Sequence, residues 1–364
     1  MKITAVRTGL YRIPLGQPLV DATIRLTEWE LIVSRVETDS GVSGVGWCYT
    51  LGSGGSAIRA LIGDALTPLV LGQDPFHIER IAERLWWGIS RLGTGLATFA
   101  IAPLDIAIWD IVAKAVGRPL YQLLGGCRDR IPVYGSGVNL HLEPDALLDQ
   151  MQGYLDQGYR GVKMKVGRDE AEEDVERVAA VRKLIGPRVA LMVDANLKWT
   201  VAEALRRATR LEPFDLAWLE EPLPSEDVGG HARLRAAVRI PIAVGETLYT
   251  KQQFAEYVRS GALDIVQADI VRVGGITEWL KIAHLAQAWN LPMAPHVVYE
   301  LAVSLLCAVP NALVAELVTG SGLTELGVLT EPIRPQRGIG VPPPKPGHGV
   351  EFDEAALGRH EVKG

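Results

Sequence analysis

Three short runs decide how this chain is read: Ala190-Leu191-Met192-Val193-Asp194, Leu216-Ala217-Trp218-Leu219-Glu220 and Pro241-Ile242-Ala243-Val244-Gly245-Glu246. Each is apolar, ends on one acidic residue and is followed by a stretch of helical composition. Asp194, Glu220 and Glu246 recur at intervals of 26 residues. A strand, a turn, a helix and a return loop use about that length, so the three acids fall at the same end of three successive parallel strands. Carboxylates held that close repel unless a cation joins them, and an all-oxygen ligand set suits a hard divalent ion such as Mg²⁺. A single acid at a strand end more often caps the next helix, but three in register make the metal reading the stronger one.

Length and composition set the frame around these runs. A chain of 364 residues holds one large α/β unit or two domains. With 48% hydrophobic and 22% charged residues it has the make-up of an ordinary globular protein. A net charge of −6 gives no basic face for nucleic acid. Cys48, Cys127 and Cys307 are too few and too scattered for a disulfide framework or a zinc site, which favours a reducing cytoplasm. The N-terminal run from Met1 to Arg7 lacks the apolar core of a signal peptide. The most apolar stretch, Leu96 to Val116, carries Pro103, Asp105, Asp110 and Lys114, and reads as a buried helix instead of a membrane span.

Upstream of the acidic runs the pattern is different. Residues 2–13 and 29–38 alternate apolar and polar, and Asp39-Ser40-Gly41 turns the second run into a third at 42–49. Helices are expected near 56–70, after a cap at Asp74 with Pro75 in the first helical position, and over 96–116. Residues 1–125 therefore read as an α+β domain. From Gly125-Gly126 onward, strand-like runs at 131–134, 161–166, 189–194, 216–220, 240–245, 265–267, 291–294 and 312–316 alternate with helical stretches, the clearest helix spanning 169–185. Eight such units fit a parallel β/α barrel over 126–325 better than an open sheet, although a doubly wound sheet obeys the same pattern. The stiff segment Pro342 to Gly347 begins a tail, 326–364, expected to return to the first domain.

In a barrel the strand ends form one mouth. Lys163-Met164-Lys165 places two lysines on one face of a strand, where mutual repulsion is expected to lower their pKa values toward use as a base. Asn196 follows Asp194 by two residues. Glu220 and Glu221 are adjacent, so only one can point inward, and register alone leaves the choice open. Asp269 and His296 lie 27 residues apart at the ends of neighbouring strands, the spacing of a carboxylate–imidazole dyad. Glu316 ends the eighth strand. A divalent ion on three carboxylates can hold a substrate carboxylate and the charge of an enediolate, while a lysine and a histidine handle protons at the α-carbon. Proton abstraction α to a carboxylate is the reaction class.

On Lys163-Met164-Lys165, Asp194-Ala195-Asn196, Glu220-Glu221-Pro222, Gly245-Glu246, Asp269 and Pro295-His296 the sequence resembles the enolase superfamily, in particular its mandelate racemase subgroup. The resemblance implies a modified (β/α)₇β barrel under an α+β capping domain completed by the C-terminal tail. It further implies Mg²⁺ on Asp194, Glu220 and Glu246, with Lys165 as one acid/base and the Asp269–His296 dyad as the other. Lys163 would tune Lys165 or touch the substrate carboxylate, and Glu316 would bond the enediolate oxygen. The muconate lactonizing subgroup fits less well, because Ile270, Val271 and Arg272 follow Asp269 where that subgroup has a lysine. The runs at 46–49, 103–107, 192–196 and 230–232 are similar to acid-sugar dehydratases of the talarate/galactarate type, whereas Val297-Val298-Tyr299-Glu300 matches no single substrate class.

The resulting expectation is a Mg²⁺-dependent dehydratase that turns a sugar acid into a 2-keto-3-deoxy acid. A racemase or epimerase of a 2-hydroxy acid is the alternative, using the same residues without elimination. A Schiff-base aldolase would explain a strand-borne lysine but not the three acids, and a binding protein explains neither. Substrate choice is expected in capping-domain loops around 20–28 and 49–56, with Arg25 for a distal carboxylate or hydroxyl and with Tyr49 and Asn196 as further substrate contacts. The expected partners are a small carboxylate and further copies of the chain, with neither nucleic acid nor membrane.

Overall fold

The computed structural model describes residues 1–363. An antiparallel meander of β1 (Ile3–Val20), β2 (Arg25–Thr38) and β3 (Ser43–Thr50) opens the chain. The first two strands reach beyond their clean alternation: a register shift between Pro14 and Leu19 carries the hairpin on to pair Val20 with Arg25. A helical path follows over residues 55–70, and then comes the helix Ile78–Ile89. Pro75 is not its first residue. The Asp74 carboxylate accepts from the Phe76 N–H at 3.1 Å, which makes 74–77 a turn, and the helix starts only at Ile78.

The 20-residue helix Leu96–Ala115 is apolar and long enough to cross a membrane, yet 83% of its apolar window is buried inside the fold. It lies on β3 at backbone distance. A Cβ added at Gly44 would stand 2.1 Å from the Ala107 carbonyl oxygen, and one at Gly46 would stand 2.0 Å from that of Pro103. Only glycine permits this approach. Asp110 of this helix ties three segments together, accepting from the Val45 N–H, the Lys114 ammonium and the His348 N–H. His348 belongs to the C-terminal segment, whose Nε2 meets the Val45 carbonyl at 2.7 Å, and Phe352 packs edge-on to Trp47. Further on, Val362 donates to Leu10 O at 2.8 Å, so the end of the chain pairs with β1.

Parallel strands then form a ring: β4 (Ile131–Ser136), β5 (Gly161–Lys165), β6 (Ala190–Asp194), β7 (Trp218–Glu220), β8 (Ile242–Val244), β9 (Ile265–Val266) and β10 (Ala315–Val318). The run at 291–294 is not a full strand. Met293 alone bridges to Val266 on one side and to Ala312 on the other. Its hydrogen bonds nevertheless close the ring between β9 and β10, while β10 pairs with β4. Seven helices follow the first seven members, and none follows β10 before the tail. The architecture is an α/β TIM-like barrel with a capping domain.

Strand parity sets the barrel interior. Inward positions recur every second residue. The lower set, Tyr134, Met192, Trp218, Ala243, Ile265 and Ala294, packs as an apolar plug. The next inward positions on several of the same strands are polar, namely Ser136, Asp194, Glu220, Gln267 and His296, and of these Ser136 and His296 line a cavity.

Candidate active site

Asp194, Glu220 and Glu246 converge at the mouth: one carboxylate oxygen of each lies within 4.8 Å of the others. Asp194 and Glu220 reach this point by simple alternation. Glu246 does not. It lies three residues past inward-facing Ala243, and the chain changes phase at Gly245, whose φ is 146°. A Cβ there would stand 2.8 Å from the Phe254 ring and 2.9 Å from the Gln267 carbonyl carbon. Glycine is therefore what lets the third acid swing into the site. Glu221 fixes that turn from beneath: its carboxylate accepts from the Gly245 N–H at 2.8 Å and the Thr247 hydroxyl at 3.0 Å. The choice between Glu220 and Glu221 is thus made by geometry, with Glu220 in the cluster and Glu221 (φ 42°) holding the neighbouring loop. Burial, together with the nearby Glu246, pushes Glu221 up to about 8.

Two ammonium groups sit among these acids. Lys163 Nζ is 2.5 Å from Glu220 Oε1, 2.7 Å from Glu316 Oε1 and 3.7 Å from Asp194 Oδ2. Lys165 donates to Asp194 Oδ2. Lys163 does pull Lys165 down, but the expected net fall of the pair toward a base does not follow. Burial opposes both charges, but at Lys163 the carboxylates of Glu220, Glu316 and Asp194 outweigh it, and at Lys165 those of Asp194, Glu246 and Glu220 outweigh both burial and Lys163. Both pKa values therefore lie above the ordinary lysine value. Glu220 is pushed up to about 7, first by burial and then by Asp194, Glu316 and Glu246, against the pull of Lys163. At Glu316 burial is overcome by Lys163 and His296, which hold it at about 2.

Across the mouth, His296 Nδ1 is 2.8 Å from Asp269 Oδ2, and Nε2 is 3.3 Å from Glu246 Oε2. With Nδ1–H donating to Asp269, Nε2 is left facing the cavity. Asp269 Oδ1 accepts from the Val271 and Arg272 N–H groups, and the Tyr49 hydroxyl donates to Oδ2 at 2.5 Å. Tyr49 comes from β3, so the capping domain reaches directly into this pair. Burial alone would raise Asp269, but the bond and charge of His296, with Arg272 and Tyr49, keep it below the usual carboxylate value. Burial likewise works against an imidazolium, yet Glu246 and Asp269 carry His296 above its usual pKa.

The donor set fits a divalent cation. Four carboxylates (Asp194, Glu220, Glu246 and Glu316) face the two ammonium groups, with the Arg272 guanidinium 3.9 Å from Glu246, so acids outnumber the lysine and arginine cations among them. Glu246 Oε2 is moreover a buried acceptor with no hydrogen-bond donor. Asp194, Glu220 and Glu246 form an acidic triad able to bind Mg²⁺.

A cavity opens above the triad. It brings together Lys163, Lys165, Asn196, Glu246, His296, Glu316 and Tyr49 from the sequence reading. Asn196 (φ 46°) lends its N–H to Asp194 Oδ1 at 2.9 Å, and its buried side-chain Oδ1 has no partner. Arg25 is not brought in. Ile24 and Leu26 on either side of it line the cavity, so alternation turns Arg25 away, and it is exposed. Several groups escaped the sequence reading. Gln267 Nε2 and Trp218 Nε1 donate to Glu220 Oε2 at 2.7 and 2.9 Å, and Arg272 Nη1 donates to the Glu246 carbonyl at 2.9 Å. Parity was the available signal for the first two, since Trp218 lies two residues before Glu220 and Gln267 two before Asp269; nothing local marked Arg272. Positive φ at Asn196, Glu221, Val297 and Val298 shows backbone strain gathered around the same mouth.

A barrel mouth with an acidic triad flanked by a lysine pair and an Asp–His pair defines the class of enolase-like enzymes. Comparison with known proteins agrees. The model described as "Mandelate racemase / muconate lactonizing enzyme, N-terminal domain" matches residues 4–125, and "Enolase C-terminal domain-like" matches residues 146–356. The chain belongs to the mandelate racemase/muconate lactonizing enzyme family of the enolase superfamily. It is 41% identical to the 3,6-anhydro-alpha-L-galactonate cycloisomerase of Streptomyces coelicolor over 99% of both chains. It is 39% identical to the L-talarate/galactarate dehydratase of Salmonella typhimurium, over 85% of this chain and 79% of that one. Among solved structures, the L-talarate dehydratase of Polaromonas sp. JS666 complexed with Mg and L-glucarate superposes with a TM-score of 0.93 at 35% identity, covering 100% of this chain and 98% of that one. The relatives are dehydratases, cycloisomerases and racemases, and the chain is an enzyme of this family.

Proposed function

We propose that the chain removes the proton α to the carboxylate of a sugar acid and expels the β-oxygen, giving a 2-keto-3-deoxy acid. The observation that carries this is the meeting of Lys165 and the Asp269–His296 pair at one cavity, on either flank of the acidic triad. When bound by Asp194, Glu220 and Glu246, Mg²⁺ supplies electrophilic stabilisation of the negative charge that develops on the substrate carboxylate. Lys165 on β5 and His296 beyond Met293 reach the α-carbon from different walls of the ring. One takes the α-proton, and the C–H electron pair becomes the carbon–carbon double bond of an enol. The C–O bond at the β-carbon then breaks, and the other residue gives its proton to the departing oxygen. The enol product tautomerises to the keto acid. Lys163, itself held by Glu316 at 2.7 Å, bonds the substrate carboxylate end, Asn196 Oδ1 accepts from a substrate hydroxyl, and Tyr49 positions Asp269 and His296. Residues 1–125 with 326–364 act as the cap and 126–325 as the catalytic barrel.

A second reading draws on the likeness to a cycloisomerase of an anhydro sugar acid. If the β-oxygen is part of an internal ether, the same elimination opens the ring and loses no water. Reprotonation of the α-carbon without elimination would make the enzyme an epimerase, recognised by solvent deuterium entering recovered substrate. Incubation with Mg²⁺ and a panel of sugar acids, both linear and anhydro, tests the proposal by keto-acid formation that chelation abolishes. Failure of every acid to give a keto product removes it.

A further inference from the structure

The cavity has two unlike halves. Every cationic side chain that lines it (Lys163, Lys165, Arg272 and His296) belongs to the inner half, and each is already engaged by carboxylates or by a backbone carbonyl there. The outer half is walled by Leu19, Ile24, Leu26, Trp29, Leu51 and Val138, brought by the long β1–β2 hairpin, the end of β3 and the loop after β4. The charged group on this wall is an acid: Asp21, whose Oδ1 accepts from the Thr23 N–H, the Thr23 hydroxyl and the Ile24 N–H at 2.7–2.9 Å. Arg25, the nearest arginine in sequence, faces the opposite side of its strand. Trp29 and Ser321 add no charge to the wall.

From this asymmetry, and resting on the proposed chemistry, we infer that the substrate is a monocarboxylic sugar acid with a neutral far end, an aldonate or its internal ether, and not a diacid. A carboxylate at the metal end meets the triad's cation and the lysines. A second one at the far end would be stripped of water against aliphatic side chains and the like charge of Asp21, with no cation among the side chains that line that half. A hydroxyl or ether oxygen costs far less to bury than a charge, while the aliphatic wall covers the C–H faces of the sugar. This separates the chain from a relative named for talarate and galactarate, both diacids.

Matched six-carbon aldonates and aldarates of the same stereochemistry, offered to the Mg²⁺-loaded protein, give the test, read both as keto-acid formation and as Mg²⁺-dependent binding by calorimetry. The inference expects the monoacid of at least one pair to bind and react about a hundredfold better than its diacid. Leu51→Arg, and separately Ile24→Arg, place a cation on the outer wall at partly exposed positions and should narrow that ratio about tenfold or more in favour of the diacid. Diacids bound as well as or better than monoacids overturn the inference, whatever their turnover, and so does the absence of Mg²⁺-dependent binding of either kind. Monoacid-selective binding without keto-acid formation upholds it and sinks the proposed reaction instead. Equal turnover of both acids does the reverse.

Discussion

Two residues of strand separate Met192 from Asp194, Trp218 from Glu220 and Tyr134 from Ser136, and each pair points into the same barrel. The lower member packs into the apolar plug, with the Tyr134 and Trp218 rings edge-on at 5.5 Å. The upper member is equally buried but polar, and the two acids stay so through partners: Glu220, fully buried, receives Lys163, Trp218 and Gln267, and Asp194 receives Lys165 and the Asn196 N–H. One layer is held by area removed from water and the other by mutual satisfaction of charge. The layers also touch. The Trp218 N–H reaches up to Glu220, and the Lys163 ammonium lies 5.7 Å from the Tyr134 ring centroid. A buried polar layer over a conventional core is what a site that sacrifices stability for chemistry looks like.

Substitutions sharpen this contrast. The largest effect is expected in the upper layer: Lys165→Ala or His296→Asn should lower turnover by about 10⁴-fold or more while Mg²⁺ affinity changes far less. Steady-state rates beside a metal titration check it, and a variant retaining a tenth of the rate would remove that residue from proton transfer. In the lower layer Trp218→Ala should cost about 3–5 kcal/mol of folding stability, read from denaturant midpoints, through the cavity it leaves. If it lost activity but kept its stability, the division between layers would be wrong.

Asp105 supplies a control, because it is a buried acid away from the mouth, bonded to the N–H and hydroxyl of Thr277. Burial raises it from 3.8 to about 6. The folded chain thus holds this proton more tightly than the unfolded one, so its contribution is complete below pH 3.8 and is lost as pH rises through 6. Measured against Asp105→Asn, the wild type should lose about 3 kcal/mol between pH 3.5 and pH 7, seen as diverging urea midpoints. Parallel curves would mean that burial alone does not penalise an acid here. Next in size, Glu220→Gln should weaken Mg²⁺ about a hundredfold, roughly 2.8 kcal/mol by calorimetry, and full affinity would show that Glu220 is not a ligand. Smallest is Trp218→Phe, which keeps most of the plug but removes one of the two donors to Glu220 Oε2, and should change metal affinity only severalfold.

The barrel was legible in the chain because period-two apolar runs and acids at equal spacing are local facts, repeated often enough to fix phase. Legibility stopped where that phase breaks. Met293 stands in for a strand with single bridges, since the ring needs closure there and not a full ladder. Glu246 arrives by a glycine turn that Glu221 braces, so its regular spacing hid an irregular path. The lysine pair was misjudged for a related reason: sequence shows that two ammonium groups are neighbours, and only the fold shows that carboxylates stand closer to each than they do to one another.

Residue order alone determined the β/α alternation, the separate α+β unit before it and the roster of acids, lysines and histidine, because hydrophobic period and spacing are properties of a linear chain. Tertiary structure decided which of two adjacent glutamates enters the site, that Tyr49 of the cap bonds Asp269, and that Arg25 turns outward to leave an uncharged far wall. Those outcomes depend on distances between groups hundreds of residues apart, as with Tyr49 and Asp269 at a separation of 220 positions, and Coulomb and hydrogen-bond energies follow distance in space and not position along the chain.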